Sequence, residues 1–265
     1  MDKDYQTDVT VGLGYELNEE RSITTYSENL LNAKCAEMHA HPRAQIITCS
    51  RGVMEVVTPD NIWIVNPMQS VWLPGNTAHQ VYFPGNVKVD SIFIDPSKTD
   101  ALPITTFAFD HSGFFKSLMN KIISFSNPEE LNLPQKRVLA VFLDEVATIT
   151  PTKTYLPTSS DKRVKIVTDA LLRDISANYT IEHYAALACV SSRTLSRLFL
   201  KHLGISFGDW RIRLKLFEAI RQLSENKSVK EIAFDLGYEN TSSFIHTFKK
   251  YLGTTPANYF QERVK

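Results

Sequence analysis

The last hundred residues of this chain contain the same pattern twice, and that repeat constrains its fold more than any other feature. In TIEHYAALACVSSRTLSRLFLKHLG, residues 180–204, Ile181, Tyr184, Ala185 and Ala188 fall at i, i+3, i+4 and i+7, the spacing of one buried helix face. Thr180 precedes them as an N-cap. After a break at Cys189 and Val190, Ser191 offers a second N-cap, and Leu195, Leu198 and Phe199 form the inner face of another helix. In SVKEIAFDLGYENTSSFIHTFKKYLG, residues 228–253, Val229, Ile232, Ala233 and Leu236 repeat the first face. Gly237 repeats the turn, and Phe244, Phe248, Tyr251 and Leu252 repeat the second face. Ala185 pairs with Ala233 at an offset of 48; past the turn the offset is 49, pairing Leu195 with Phe244 and Leu203-Gly204 with Leu252-Gly253. One pair of short amphipathic helices is commonplace. The same pair twice, with matched core positions, is not.

The outward faces say what such units do. Ser192, Arg193, Ser196, Arg197 and Lys201 share the outer side of the first unit's second helix, where hydrogen-bonding and cationic side chains can reach base edges in a major groove. Between the units, FGDWRIRLKLFEAIRQL is apolar on two sides, with Leu216, Ala219, Ile220 and Leu223 on one and Trp210, Leu214 and Phe217 on the other. A helix buried on both sides can hold two small units at a fixed separation. The formal net charge of zero argues against a polyanion partner until it is divided. Residues 1–160 hold 12 Lys and Arg against 18 Asp and Glu, and residues 161–265 hold 17 against 11. The excess of positive charge lies in the repeat.

KLFEAIRQL, followed by IAFDLGY, Phe244, the run Phe248-Lys249-Lys250-Tyr251 and GTTP, resembles the signature of AraC/XylS transcriptional regulators over roughly residues 162–262. The resemblance implies a DNA-binding activator that works with RNA polymerase. It implies base reading by Arg193, Ser196 and Arg197 in the first unit and by Thr241, Ser242 and His246 in the second. Ile245 lies beside these, suited either to a thymine methyl or to packing on a neighbouring helix. Ser192, Lys201, Lys249 and Lys250 are assigned to phosphates, which position a protein without reading sequence. The chain departs from the family at Cys189, where a turn glycine is usual and a β-carbon strains the turn.

The first half has a different texture. AQIITCS, VMEVVT, IWIVN, SVWLP, HQVYF and VKVDSIFI are short runs rich in β-branched and aromatic residues, punctuated by Gly and Pro, as in a barrel or sandwich. Two helical patterns follow, one through Phe115, Leu118, Met119 and Ile122, the other starting at Pro134 and carrying Val138, Phe142 and Val146. TITPTKTYLPTSSD reads as a linker.

HAHPRAQIITCSRG followed by LPGNTAHQV resembles the two motifs of the cupin barrel, which places His39, His41 and His79 at metal-ligand positions. With His39, His41 and Gln45 on one strand, the two-residue period would point all three inward. The chain has Gln45 where cupins usually carry Glu, and Asn76 where they carry Gly. The four polar residues therefore form either a divalent metal site or part of an effector pocket, and Trp63, Trp72, Phe93 and Tyr82 are either its walls or core.

The expected architecture has two domains: an all-β cupin-like barrel with following helices, then an all-α domain with two helix-turn-helix units. The expected boundaries are 1–110 for the barrel, 111–150 for a helical dimerisation segment, 151–161 for the linker and 162–265 for the DNA reader. The expected function is sequence-specific transcription regulation as a homodimer on double-stranded DNA, under a small-molecule effector. The alternatives are a ligand-free barrel serving only dimerisation, or a cupin metalloenzyme. Three cysteines without paired spacing, a polar N-terminus and no long apolar run lead us to expect a cytoplasmic, non-enzymatic protein that does not enter membranes.

Overall fold

The computed structural model describes residues 6–7, 12–32, 34–152 and 154–260. By contact density the chain forms two units, one from Tyr155 onward together with Pro59–Ile62, the other comprising most of the residues before Tyr155.

The first unit is β-rich. Its strands are β1 (Gln6–Thr7), β2 (Ile23–Leu30), β3 (Lys34–His39), β4 (Ala44–Arg51), β5 (Met54–Val57), β6 (Asn61–Val65), β7 (Gln69–Leu73), β8 (His79–Phe83), β9 (Val87–Ile94) and β10 (Phe107–Asp110). They lie in two sheets, with the orders β1-β3-β8-β5-β6 and β10-β7-β4-β9-β2. Alternation assigns the faces of the second sheet. Ile46, Trp72, Ile92 and Ile94 point to one side, into an apolar cluster with Phe115, Met119, Ile122, Leu139, Phe142 and Val146. Gln45, Ile47, Val89 and Ser91 point to the other side, toward Val81 and Phe83 of the opposite sheet.

The helices in that cluster are α1 (Gly113–Ile123) and α2 (Leu133–Ala147). Ser112 caps the first through the Phe115 amide. The second starts one residue before the expected Pro134, because Asn132 and Gln135 form a reciprocal capping box ahead of the proline. Leu118 and Val138 are only partly buried at the margin of the cluster.

The second unit begins with β11 (Leu156–Pro157), which pairs antiparallel with Asn61 and Ile62, the end of β6 that belongs to this same unit. Among the described residues six α-helices follow: α3 (Lys162–Arg173), α4 (Ile181–Leu187), α5 (Ser192–Leu203), α6 (Phe207–Ser224), α7 (Val229–Asp235) and α8 (Thr241–Leu252). Residues 181–203 and 229–252 thus fold as the two helix-turn-helix units. Each second helix ends at a glycine in the left-handed region, Gly204 (φ 69°) and Gly253 (φ 79°), which frees the chain to reverse. Thr180 sits at the N-cap of α4, but its side chain makes no capping hydrogen bond. Ser191, Ser228 and Asn240 do cap their helices.

The cores are aromatic. Phe199 meets Phe207 and Trp210 at centroid distances of 5.4 and 6.3 Å, and Phe248 meets Phe244 and Tyr259 at 5.7 and 5.3 Å. Ile181 and Val229, expected to be buried, are half-buried because each opens its short helix at the edge of the core. Among the described residues no helix is long and apolar enough to cross a membrane.

Candidate DNA interface and barrel histidine cluster

On α5, Arg193, Arg197 and Lys201 recur every four residues and are all exposed, forming one outward stripe. The 49-residue offset carries this stripe onto Ser242, His246 and Lys250 of α8, which are exposed too. Lys249 is exposed beside them. Ser192, Ser196, Thr241 and Ile245 are half-buried and border the two stripes, with Ser196 and Ile245 at equivalent positions. The Ser196 hydroxyl donates to the Ser192 carbonyl at 2.9 Å, so it can offer an incoming base only an acceptor while that bond lasts. Each stripe starts in the first turn of its helix, where the free amides and the positive end of the helix dipole favour phosphate approach.

The turns differ. Cys189 and Gly237 both have positive φ, 53° and 71°. The strain expected at Cys189 is thus present, with the thiol exposed. Cys35 and Cys49 are buried, and burial pushes both thiols up.

In the β-rich unit, His39 ends β3, His41 lies in the β3–β4 connection and Gln45 is on β4, so the three do not share a strand as expected. The chain folds back between them and still brings their side chains together. Ring centroids are 5.8 Å apart for His39 and His41, 4.3 Å for His39 and His79, and 5.2 Å for His41 and His79. Their ligating atoms lie within 4.8 Å of one another. Two nitrogens bound to one ion at about 2.1 Å can be at most about 4.2 Å apart, so the cluster is within a small side-chain adjustment of coordination geometry.

The hydrogen bonds fix which nitrogens are free. Nδ1 of His39 meets the Glu37 carbonyl at 2.6 Å, that of His41 the Arg43 carbonyl at 2.8 Å, and that of His79 the Thr77 carbonyl at 2.8 Å. A carbonyl oxygen only accepts, so every Nδ1 carries the proton and every Nε2 presents a lone pair. Metal-bound histidines are oriented by backbone carbonyls in the same way. His79 Nε2 is buried and has no hydrogen-bond partner. His41 Nε2 faces Gln45 Oε1 at 3.2 Å, while Gln45 Nε2 donates to Ser91 Oγ at 3.0 Å. Two acceptors aimed at each other are satisfied by a cation between them or by rotation of the amide. Burial lowers the pKa of His41 and pushes that of His79 down to about 4, so both are neutral and ligand-competent near pH 7.

Backbone turns hold this arrangement. The Asn76 amide donates to the His41 carbonyl at 2.7 Å, and Asn76 itself has φ 61°, the left-handed conformation for which cupins use glycine and which asparagine tolerates. Gly14 lies against the His41 ring, where a Cβ would collide. Arg43 is fully buried; it pairs with Asp95 at 3.3 Å and donates to the carbonyls of Glu16 and Arg21 at 2.6 and 2.8 Å. That buttress was invisible in the sequence.

The space enclosed between the sheets beside His39, Gln45 and His79 is about 20 Å³. This exceeds what one water or ion needs and falls far short of an organic ligand's few hundred Å³. Trp63, Trp72 and Tyr82 do not line it. Trp72 faces α1 and α2 and donates to the Pro103 carbonyl at 2.8 Å. Phe93 faces inward, with its ring 5.3 Å from that of His41.

Residues 184–262 match the family described as "Helix-turn-helix domain". Over 222 residues, 84% of this chain and 81% of the relative, the chain is 28% identical to the HTH-type transcriptional regulator NimR of Escherichia coli K12. It is 30% identical over 103 residues to the HTH-type transcriptional regulator RipA of Corynebacterium glutamicum, covering 39% of this chain and 31% of that one. A solved AraC-type transcriptional regulator from Chromobacterium violaceum is 25% identical, with 40% of this chain and 96% of that chain covered at a TM-score of 0.36. With the repeated unit, its two exposed polar and basic stripes and the family match over residues 184–262, the chain is a DNA-binding transcriptional regulator whose C-terminal region is a helix-turn-helix domain.

Proposed function

We propose that this regulator reads DNA through α5 and α8 and that its barrel binds a divalent transition-metal ion as the controlling ligand. The observation that carries the second part is the buried, partnerless Nε2 of His79, set among two further imidazoles that are held in the same tautomer by backbone carbonyls. His39, His41 and His79 would hold the ion. Gln45 stands beside them as a neutral amide oxygen, a weaker donor than a carboxylate. Three imidazoles suit zinc, copper, nickel or iron. An enclosed volume of about 20 Å³ favours an ion over an organic effector in this conformation.

In this reading Arg193, Ser196, Arg197, Thr241, Ser242 and His246 contact bases, and Ser192, Lys201, Lys249 and Lys250 contact phosphates. The barrel spans residues 1–110, the linker 151–161 and the DNA reader 162–265. Residues 111–150 join two copies; Phe114, Leu133 and Val141, 56%, 70% and 43% exposed on α1 and α2, are the apolar groups available to such an interface. The chain acts in the cytoplasm and, as an activator, with RNA polymerase. No catalytic step is proposed, because a protein of this kind needs only a difference in metal affinity between two states to be switched.

The test is elemental analysis of the chain purified without chelators, followed by thermal unfolding with and without added Zn²⁺. One ion per chain, and stabilisation of about 2.7 kcal/mol at a hundredfold excess over Kd, are expected for the wild type and lost in His79→Ala. If neither the native chain nor the zinc-treated chain holds metal, the metal reading fails, and the histidines belong either to an effector pocket or to a ligand-free dimerisation unit.

A further inference from the structure

The two helix-turn-helix units meet at a junction that neither unit contains by itself. The segment joining α3 to α4, residues 174–180, enters the first unit, and the turn at Gly237 belongs to the second. Asn178 on that segment donates through Nδ2 to the Gly237 carbonyl at 2.6 Å. Its Oδ1 accepts from Lys215 Nζ of α6 at 3.0 Å. The orientation of this amide is unambiguous, since a lysine only donates and a carbonyl only accepts. Lys215 Nζ also lies 5.2 Å from the centroid of the Tyr238 ring, next in sequence to Gly237. A second α6 cation, Arg211, donates to the Tyr179 carbonyl at 2.9 Å and anchors the same segment.

Lys215 is only 7% exposed, an expensive place for an ammonium group unless it is bonded. Burial is the main cause that pushes its pKa down, to about 8. The backbone agrees with the side chains. A Cβ on Gly237 would collide with the Ser176 carbonyl oxygen, so the second turn seats directly on the segment leading into the first unit. Cys189, the matching residue of the first unit, is exposed and can carry its β-carbon. The asymmetry between the two turns follows from this contact.

We infer that Lys215 and Asn178 are positioning residues that fix the placement of α8 relative to α5, and so set the spacing between the two half-elements that the protein accepts in DNA. The Gly237 turn leads straight into α8, so a displaced turn moves the second reading helix while α5 stays on α6. One base pair of spacing shifts the second half-element by about 3.4 Å and about 34°, more than a tightly held turn can follow. Neither residue touches DNA in this assignment. The inference rests on α5 and α8 being the reading helices.

The experiment uses the full chain. A randomised double-stranded library yields the wild-type site, and affinities are then measured on that site and on versions with its spacer lengthened or shortened by one base pair. The wild type is expected to lose about tenfold on either altered spacer. Asn178→Ala and Lys215→Met are expected to lose no more than about threefold, with unchanged base preference within each half-element. Asn178 is exposed, so its variant decides the matter even if Lys215→Met does not fold. Spacer discrimination equal to wild type in the folded variants overturns the inference, as does a wild type indifferent to spacing. Arg197→Ala and His246→Ala, run alongside, test the reading helices separately: a changed base preference in one half-element for each supports that assignment, and unchanged preference in both overturns it and this inference with it.

Discussion

Cys189 and Gly237 occupy the same place in the two helix-turn-helix units and share a left-handed backbone, at φ 53° and 71°. Only the second is a glycine. For a residue with a β-carbon that conformation costs about 1–2 kcal/mol, partly offset by the extra backbone entropy a glycine loses on folding. Cys189→Gly should therefore raise stability by about 0.5–1 kcal/mol. Gly237→Ala should lower it by about 2–4 kcal/mol, because the strain is joined by a collision with the Ser176 carbonyl. Urea unfolding of both variants checks this. A neutral Gly237→Ala would mean that the turn does not seat on residues 174–180.

His111 makes stability depend on pH. It is half-buried beside β7, with Nε2 2.7 Å from Ser70 Oγ and a buried Nδ1 without a hydrogen-bond partner. Burial, aided by Lys116, pushes its pKa down to about 4. The unfolded chain then binds the proton more readily than the folded one between pH 6.5 and 4, so stability is full above pH 6.5 and falls as the pH drops through that window. A shift of this size corresponds to about 3 to 3.5 kcal/mol. Comparing the urea midpoints of the wild type and His111→Asn between pH 7 and 4.5 isolates this residue from the buried histidines. The variant should show the shallower slope.

The barrel site can be probed by restoring the carboxylate that cupins usually carry. Gln45→Glu places a charged group opposite His41 Nε2, in a buried site. With zinc present the carboxylate is the better ligand, and affinity should rise about tenfold or more. With zinc removed by chelation the buried charge is uncompensated, and the variant should be less stable than wild type by about 1–3 kcal/mol. A widened gap between the zinc-loaded and chelated unfolding temperatures is the expected signature. An unchanged gap would remove Gln45 from the metal's surroundings.

The helical half was readable because its signals are local. Apolar spacing, caps such as Ser191 and the paired Gly204 and Gly253 all lie within one or two turns of what they determine. The matched offsets located both turns to the residue. The histidine cluster was legible as a set and misread as a strand, because the fold-back between His39 and Gln45 depends on the Asn76 amide gripping the His41 carbonyl across the barrel. Trp72 was a candidate wall because β-rich segments do not declare which face turns inward; the packing of α1 and α2 decides that. Arg43 with Asp95, and Lys215 with Asn178, gave no signal at all. A buried cation is recognised by partners brought from 52 and 37 residues away in the chain, and no periodicity encodes them.

Arg197 and Lys249 separate the two ways in which this protein holds DNA. Both are exposed, Arg197 on the outward stripe in the middle of α5 and Lys249 beside the stripe toward the end of α8. An arginine that forks onto a base edge supplies about 1–3 kcal/mol of discrimination, so Arg197→Ala should weaken binding by about that amount and relax preference at one position. A lysine on a phosphate releases about one counterion, so Lys249→Ala should weaken binding to every sequence alike and reduce the slope of log K against log salt by about 0.9. Titrations at several salt concentrations, on the selected site and on a version altered at the affected base, distinguish the two. Uniform weakening by Arg197→Ala would move that residue to the phosphates, leaving Arg193 as the cation able to read a base from the first unit.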